Sequence, residues 1–503
     1  MSLGRNLLAG LANSGWSALV GFSVVPFYLK YLGMEAYGLI GFFMTAQVMF
    51  QLLDMGMAPT INREVARCTA YGNLKDAGKL LHTLAVIYWS MAIVIGLFVI
   101  LLAPVIATHW LKSKYLPSET VAHALMLMGL VVASRWPIGL YQGALIGAQR
   151  ITVSSAVNMS MVTIGSLGAV MVLAFVSPTI EAFFLWQACV GLVYALTLRK
   201  VTWWVIGRSK ENKFDSQELK RIWRFTAGMS AIGLTGLLFS QLDKIILSKV
   251  LGLEDFGHYM LATVVVSGLY ILITPVFNII YPRFSALVAK GELHSLSTQY
   301  RVGTRLLASV LFPAAMLLAI FAEDLVRIWT GSPEISASTA PVIALLAGGS
   351  ALHGVMHFPY ALQLAYGATR LSLTIYLVLI VVMLPLFAFL PLTFGAAGGG
   401  GAWLAALSFY MLFGTWFMHR RLLPGEGMRW LGREVGLPLC LSILTGIFVY
   451  HYFASNPTSE YTKLAIGVLL SLLLPALSIV ASKELRALTT MGFQCFLNKI
   501  SAS

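Results

Sequence analysis

The stretch YLKYLGMEAYG, Tyr28 to Gly38, returns as LSKVLGLEDFG, Leu247 to Gly257, at an offset of 219 residues. Lys, Leu, Gly, Glu and the final Gly coincide in register, and Tyr37 is answered by Phe256. In each copy a Gly follows a Leu (Gly33, Gly252), a place suited to a left-handed residue that ends a helix. A Glu two residues later (Glu35, Glu254) suits the positive end of the next helix. A second match keeps the same offset: YGNL, Tyr71 to Leu74, faces KGEL, Lys290 to Leu293. Two separate loops at one spacing point to internal duplication rather than to chance similarity of turns.

Around these loops the chain is written for lipid. Of its 503 residues 58% are hydrophobic and only 11% charged, against roughly 25% charged in a soluble domain. Apolar runs of about 20 residues, enough to cross ~30 Å of hydrocarbon as helix, recur about fourteen times. They lie in residues 6–29, 36–61, 80–107, 121–148, 151–176, 181–206, 222–248, 256–282, 302–321, 340–367, 370–391, 397–418, 433–453 and 462–482. The runs are continuous rather than alternating, which indicates helices and not barrel strands. The expected fold is an all-α integral membrane protein of about 14 transmembrane helices. Its expected parts are a six-helix lobe over 1–206, a cytoplasmic linker over 207–221, a second six-helix lobe over 222–420, and two additional helices with a cytoplasmic tail over 421–503. An even number of spans per copy makes this a parallel repeat, an arrangement that places a site between the halves near the midplane. The N-terminus lacks the basic region and cleavage site of a signal peptide, so the first run is read as a retained span.

A net charge of +14 would suggest nucleic acid in a soluble protein, but the positions of the charges give another reason for it. About 26 of the 34 Lys and Arg fall on one set of alternate connections, the cytoplasmic side by the positive-inside rule. That side includes Arg63, Arg67, Lys75, Lys79, the run from Arg199 to Arg224, Arg283, Lys290, Arg420, Arg421, Arg429 and Arg433. Both termini are therefore expected inside, and no nucleic-acid partner is expected, since no connection carries a basic-aromatic reading surface. Cys68, Cys189, Cys440 and Cys495 show no paired spacing, so neither a disulfide framework nor a metal site is indicated. There is no GxxxxGK[ST] phosphate loop and no long outer loop for glycosyl chemistry, which speaks against an enzyme. GAAGGGGAW, Gly395 to Trp403, follows one span and opens another, and reads as a turn and close-packing segment. No cofactor is expected.

Polar residues inside the spans mark what faces away from lipid. In the second span Gln47, Gln51, Asp54 and Asn62 share one helical face. The eighth span answers with Ser267, Tyr270, Thr274 and Tyr281; the first offers Asn13, Ser17 and Gly21, the seventh Gly233, Gly236, Ser240 and Lys244. Two readings stand: close helix packing through small and polar residues, or a watery cavity, which suits Gln51 with Asp54.

Mid-span charge is the sharper signal, because an ion there costs a few kcal/mol even on lenient scales. Arg135 lies mid-way along the fourth span, with Gly139, Gln142 and Gln149 continuing its face and Pro137 expected to kink the helix. Lys244 follows Asp243, and since adjacent residues do not share a face, a direct pair between them is not expected. Each cation has two roles open to it, an ion pair with another helix (Asp54 for Arg135) or contact with an anionic substrate; Lys244 could also snorkel to the interface. His353, His357 and Tyr360 share a face just before a kink expected at Pro359. Without a third ligand they suggest hydrogen-bond donors for a sugar, a proton-sensitive pair or interior packing, rather than a metal.

PFYLKYLGMEAYGLIGFF and QLLDMGMAPTINREVAR, with QLDKIILSKVLGLEDFGHYMLAT and YPRFSAL, resemble the polysaccharide-transport branch of the multidrug/oligosaccharidyl-lipid/polysaccharide exporter superfamily. The likeness covers most of residues 1–420. These are O-antigen and related lipid-linked oligosaccharide flippases, transporters of the bacterial inner membrane that do not hydrolyse ATP. The resemblance implies two six-helix lobes around a central cavity, open to one side at a time, moving an undecaprenyl-pyrophosphate-linked repeat unit from inner to outer leaflet. It implies a lipid-linked oligosaccharide, membrane lipids and other polysaccharide-assembly membrane proteins as partners. Arg135 and Lys244 would hold phosphates or an acidic sugar; Asn13, Gln51, Asp54, Gln142, His353, His357 and Tyr360 would complete the substrate site. Many members of that family have twelve spans, whereas the related lipid II flippases have fourteen; the alternatives are a lipid II-type flippase and a multidrug exporter coupled to protons or sodium through Asp54 or Asp243.

Overall fold

The computed structural model describes residues 3–54, 56–71, 77–207, 214–215 and 236–455, with Thr462, Ile466 and Leu469 beyond them. Gly233, the expected linker apart from Gly207, Phe214 and Asp215, the YGNL loop beyond Tyr71, and Cys495 lie outside the described residues. Helix follows helix. The first unit contains α1 (Leu3–Phe50), α2 (Met57–Ala70), α3 (Ala77–His109), α4 (Ser118–Arg135), α5 (Ile138–Gly147), α6 (Ile151–Phe175), α7 (Ile180–Ile206) and α8 (residues 236–250). After α9 (Leu253–Ser267) come α10 (Tyr270–Lys290), α11 (Leu293–Ile320), α12 (Ala322–Thr330), α13 (Pro333–Val355) and α14 (His357–Ala365). The chain continues through α15 (Thr369–Phe409), α16 (Thr415–Leu422), α17 (Gly427–Arg429) and α18 (Leu437–Ser455). The chain divides into two compact units, Met1–Gly257 and His258–Ser503.

Among the described residues, ten helical stretches are long and apolar enough to cross a membrane. Two of them bend back through a glycine: α1 at Gly33 (φ 81°, ψ 176°) and α15 at Gly395 (φ 56°, ψ −138°). Each of those two therefore accounts for two of the expected runs. The run at 222–248 is described from residue 236, and that at 462–482 lies outside the described residues but for three isolated positions. The protein is an all-α integral membrane protein. Gly395 ends one span as the glycine run foretold, and the residues after it pack closely: a Cβ on Gly398 would collide with the Leu390 carbonyl.

In the first unit α3 packs on α4, α1 on α6, α2 on α5, and α7 on both α4 and α6. Lipid does not drive helices together, so contact relies on small residues that let backbones approach. Gly96 of α3 and Gly129 of α4 face each other in this way, and Gly143 and Gly147 of α5 lie against the Ala58 and Asn62 carbonyls of α2. Further down the same helices, Ile61, Leu81, Leu84, Leu140, Tyr141 and Leu198 form a buried core.

The repeated phrase meets itself. A Cβ added to Gly38 would strike the Leu253 carbonyl, and one added to Gly257 would lie 2.6 Å from the Met34 carbonyl oxygen. The offset that carries Gly38 to Gly257 also carries Met34 to Leu253, so the contact is reciprocal. Both copies need glycine because backbone lies against backbone.

Two details of that phrase differ from expectation. Gly33 has positive φ but extended ψ, and Gly252 is not left-handed at all; it forms an isolated bridge with Lys112. Glu35 does not serve the helix that follows it. Its buried carboxylate accepts backbone N–H bonds from Lys114 (2.6 Å), Tyr115 (2.9 Å) and Leu116 (2.8 Å) and holds the turn between α3 and α4. Three charge-assisted bonds satisfy an ion that burial would otherwise penalise.

In the second unit α11 packs on α13 and α18, α13 on α12 and α15, and α10 on α14. The additional helices are fastened to α11 by Arg301–Glu426 (2.9 Å) and Arg305–Glu434 (2.5 Å). The Trp430 ring stacks on Tyr300 at 5.9 Å, and its indole N–H donates to Thr304 Oγ1 at 3.0 Å. The fourth span of each copy is broken at one register: α5 opens at Ile138 and α14 at His357, again 219 apart. Pro137 lies in the first break. The second falls at Met356, before Pro359, because a proline frees the carbonyl four residues earlier, that of Val355.

Overpacking a close helix crossing costs about 1–3 kcal/mol. Gly38→Val and Gly257→Val are expected to lower the unfolding temperature of detergent-purified protein by similar amounts. A large loss from one variant with none from the other would contradict a reciprocal crossing.

Candidate functional site

A cavity of about 790 Å³ opens inside the first unit. Its position follows from three interruptions of helix. The second span unwinds after Phe50 into a 3-10 turn, Gln51–Asp54, and Gly56 turns left-handed (φ 76°, ψ 16°) before α2. The fourth span breaks at Trp136–Pro137. Gly139, Gly165 and Gly191 line the walls without filling the space.

The 3-10 turn aims Asp54 at the start of α2. Its Oδ2 accepts from the Ala58 N–H at 3.2 Å and its Oδ1 from the Tyr88 hydroxyl. The carboxylate is thus held at the positive end of a helix by a donor from α3. Arg135, in the last turn of α4, donates to Gln187 Oε1 at 2.5 Å, and Gln187 in turn donates to the Gly165 carbonyl at 3.2 Å. The expected Asp54–Arg135 ion pair is not formed. Among the described residues no carboxylate lies within ion-pair reach of Arg135, because the partner of each charge is a neutral group. The Trp136 indole N–H, also at the cavity wall, is buried and has no acceptor.

A relay of amides crosses the unit beside these charges. Gln142 of α5 donates to the Tyr194 hydroxyl (2.6 Å), Tyr194 donates to Asn158 Oδ1 (2.7 Å), and Asn158 donates to Asn13 Oδ1 (2.7 Å). Gln51, Asp54, Arg135 and Gln142 from the sequence analysis therefore line one cavity, and Asn13 supports it through Asn158. Tyr88, Trp136, Asn158, Gln187 and Tyr194 went unnoticed. Gln187 and Asn158 are each the single amide of their span, which is the one signal that could have found them.

The other site residues lie elsewhere. Lys244 Nζ is bonded to both carboxylate oxygens of Asp243 (3.1 and 3.0 Å) and to the Ser240 carbonyl (3.3 Å). The face argument against that pair fails because a lysine stem is long enough to fold back over its neighbour. His353, His357 and Tyr360 belong to the second unit, in an aromatic cluster. His353 Nδ1 is 2.9 Å from the Tyr270 hydroxyl, and the Phe277 ring stacks on Tyr360 at 5.8 Å and meets His357 edge-on at 5.6 Å. At the offset of 219, Asp54 corresponds to Ile273 and Arg135 to Gly354, and a Cβ on Gly354 would press on Ile273. The position that is charged in the first unit is apolar and closed in the second.

Among the described residues no cluster of three or more His, Cys, Asp or Glu could hold a metal, and no disulfide joins Cys68, Cys189 or Cys440. An unneutralised guanidinium, a free indole N–H, a row of amides and aromatic walls can bind a polar, anionic, hydroxyl-bearing molecule.

The fold is similar to that of "Lipid II flippase MurJ, inward closed conformation", with TM-score 0.71 and 11% identity, covering 94% of this chain and 98% of that one. An inward-facing multidrug resistance MATE family transporter of the MOP superfamily gives TM-score 0.60 at 13% identity, over 80% and 95% of the two chains. These likenesses show the fold alone, that of a multi-pass helical membrane protein. The chain belongs to the family described as polysaccharide biosynthesis protein, whose sequence pattern matches residues 30–334. A Shigella flexneri protein named "Putative O-antigen transporter" is 18% identical over 427 residues, 84% of this chain and 98% of that protein.

A charge kept for a ligand costs the empty protein stability, and replacing buried ions with apolar groups often stabilises by about 1–4 kcal/mol. Arg135→Met is expected to raise the unfolding temperature of the purified protein. A clear fall would mean that Arg135 holds the fold together instead.

Proposed function

We propose that this protein is a flippase for an undecaprenyl-pyrophosphate-linked oligosaccharide repeat unit, an O-antigen or related surface polysaccharide. It carries the unit from the inner to the outer leaflet of the bacterial inner membrane by alternating access, with both chain termini in the cytoplasm. The supporting observation is the cavity of the first unit, where the Arg135 cation lacks a carboxylate partner and is surrounded by amides and aromatic rings. A sugar and its phosphates cannot cross hydrocarbon unless their hydrogen bonds are replaced, and these groups replace them. Arg135 takes the anionic part; Gln51, Gln142, Asn158 and Tyr194 take hydroxyls. Lys244, His353, His357 and Tyr360 remain candidate contacts for other parts of the substrate. A multidrug exporter for cationic compounds would want an acidic cavity; here a single lining carboxylate, Asp54, is offset by the Arg135 cation on the same wall. A lipid II-type flippase shares the chemistry and differs in the sugar.

Arg135→Ala is expected to abolish display of the surface polysaccharide while folded protein stays in the membrane. Full display in that strain removes Arg135 from the site. Of the two candidate coupling residues, Asp243 is neutralised by Lys244, which leaves Asp54 as the group able to exchange an ion. Asp54→Asn is therefore expected to lower transport several-fold in vesicles that carry a proton or sodium gradient, and to leave gradient-free exchange intact. Unchanged gradient-driven transport would exclude it.

A further inference from the structure

One face of the last span before the additional helices is built unlike its neighbours. Phe409, Phe413 and Phe417 stack almost parallel along it, with centroids 5.3 and 5.7 Å apart and interplanar angles of 8° and 12°. A π-helical segment, Tyr410–Gly414, adds a residue to the turn there and brings rings four apart nearly into line. Leu412 and Trp416 flank the ladder and are more than half exposed. The stripe ends in two exposed cations: the Arg421 guanidinium lies 4.4 Å over the Phe417 ring and that of Arg420 lies 5.5 Å over Trp416.

Those cations are not neutralised. The nearby acidic side chains are taken by α11: Glu426 by Arg301 and Ser297, Glu434 by Arg305. Among the described residues no carboxylate reaches Arg420 or Arg421. Contact with a ring face does not use up the guanidinium N–H donors, which suit phosphate through paired hydrogen bonds. An apolar aromatic wall inside the hydrocarbon, ending in two unpaired arginines at the end of a span, complements a lipid with a long branched chain and a multiply charged head. Flat rings favour a chain that carries methyl branches and double bonds, and the spacing of the rings is of the order of one isoprene unit.

We propose that this stripe is the docking track for a long-chain isoprenoid diphosphate. The chain lies along Leu412, Phe413, Trp416 and Phe417, and Arg420 and Arg421 hold the diphosphate at the end of the span before the headgroup passes to Arg135. The assignment rests on the flippase reading, in which such a lipid carries the sugar, and adds where on this chain its anchor is held.

The test uses the full-length protein in phosphatidylcholine nanodiscs, with geranylgeranyl diphosphate as the probe and binding followed by native mass spectrometry. The wild type is expected to bind, and Arg420→Ala with Arg421→Ala to weaken binding about tenfold or more. Arg420→Lys with Arg421→Lys keeps the charge and should retain most of the affinity, which separates loss of contact from loss of fold. Lys79→Ala with Lys290→Ala removes the same charge elsewhere and should change nothing. Trp416→Ala with Phe417→Ala should erase the preference for the isoprenoid over a saturated alkyl diphosphate. Wild-type affinity in the double alanine variant of Arg420 and Arg421 overturns the track and leaves the flippase reading standing. Displacement of the probe by phosphatidylglycerol also overturns it, since the arginines would then attract any anionic lipid. No binding by the wild type overturns both readings.

Discussion

Hydrocarbon offers no hydrogen bonds, so each polar group inside a membrane protein must find its partner within the protein. That constraint organises the first unit. Its polar side chains form connected sets: Gln142 to Tyr194 to Asn158 to Asn13, Arg135 to Gln187 to Gly165, Tyr88 to Asp54 to the start of α2. The guanidinium of Arg135 and the indole of Trp136 are what these sets leave incomplete, and both face the same cavity. A hydrogen bond to a neutral amide does not cancel a charge. The Coulombic part of that cation remains available to whatever enters.

Unwinding builds the cavity. Continuous helices would carry Asp54 and Arg135 on smooth cylinders facing packed neighbours. The 3-10 turn at Gln51–Asp54 and the break at Trp136–Pro137 open space where two spans would otherwise touch. Broken helix at membrane depth is tolerated only where it is buried in protein or lines a wet cavity. The fourth-span break recurs in the second unit at matching register, but there Ile273 and Gly354 close the gap and rings crowd around His353 and His357. Duplication supplied one architecture twice, and substitution made one copy polar and the other aromatic.

Much of this was legible in the chain. The apolar runs, the doubled phrase with its glycines and the mid-span Arg135 are local features, and the physics that reads them is local too. The stripe from Gln51 to Asp54 pointed away from lipid because helical spacing fixes which residues share a face. Tyr88, Gln187 and Tyr194 were not legible, because their role is to meet residues 22 to 52 positions away on other helices. Lys244 and Asp243 show the opposite error: a rule about helix faces excluded a pair that a flexible side chain makes. Glu35 looked like a helix-end residue and proved to clasp the turn between α3 and α4.

Composition and periodicity alone determined that this chain lives in lipid, is helical, and repeats itself, because hydrophobic length and spacing act within a single segment. Which polar groups neutralise one another, and which is left over, was decided by tertiary structure. Partner choice depends on distances of a few ångströms between segments remote in sequence, and no spacing along the chain encodes them.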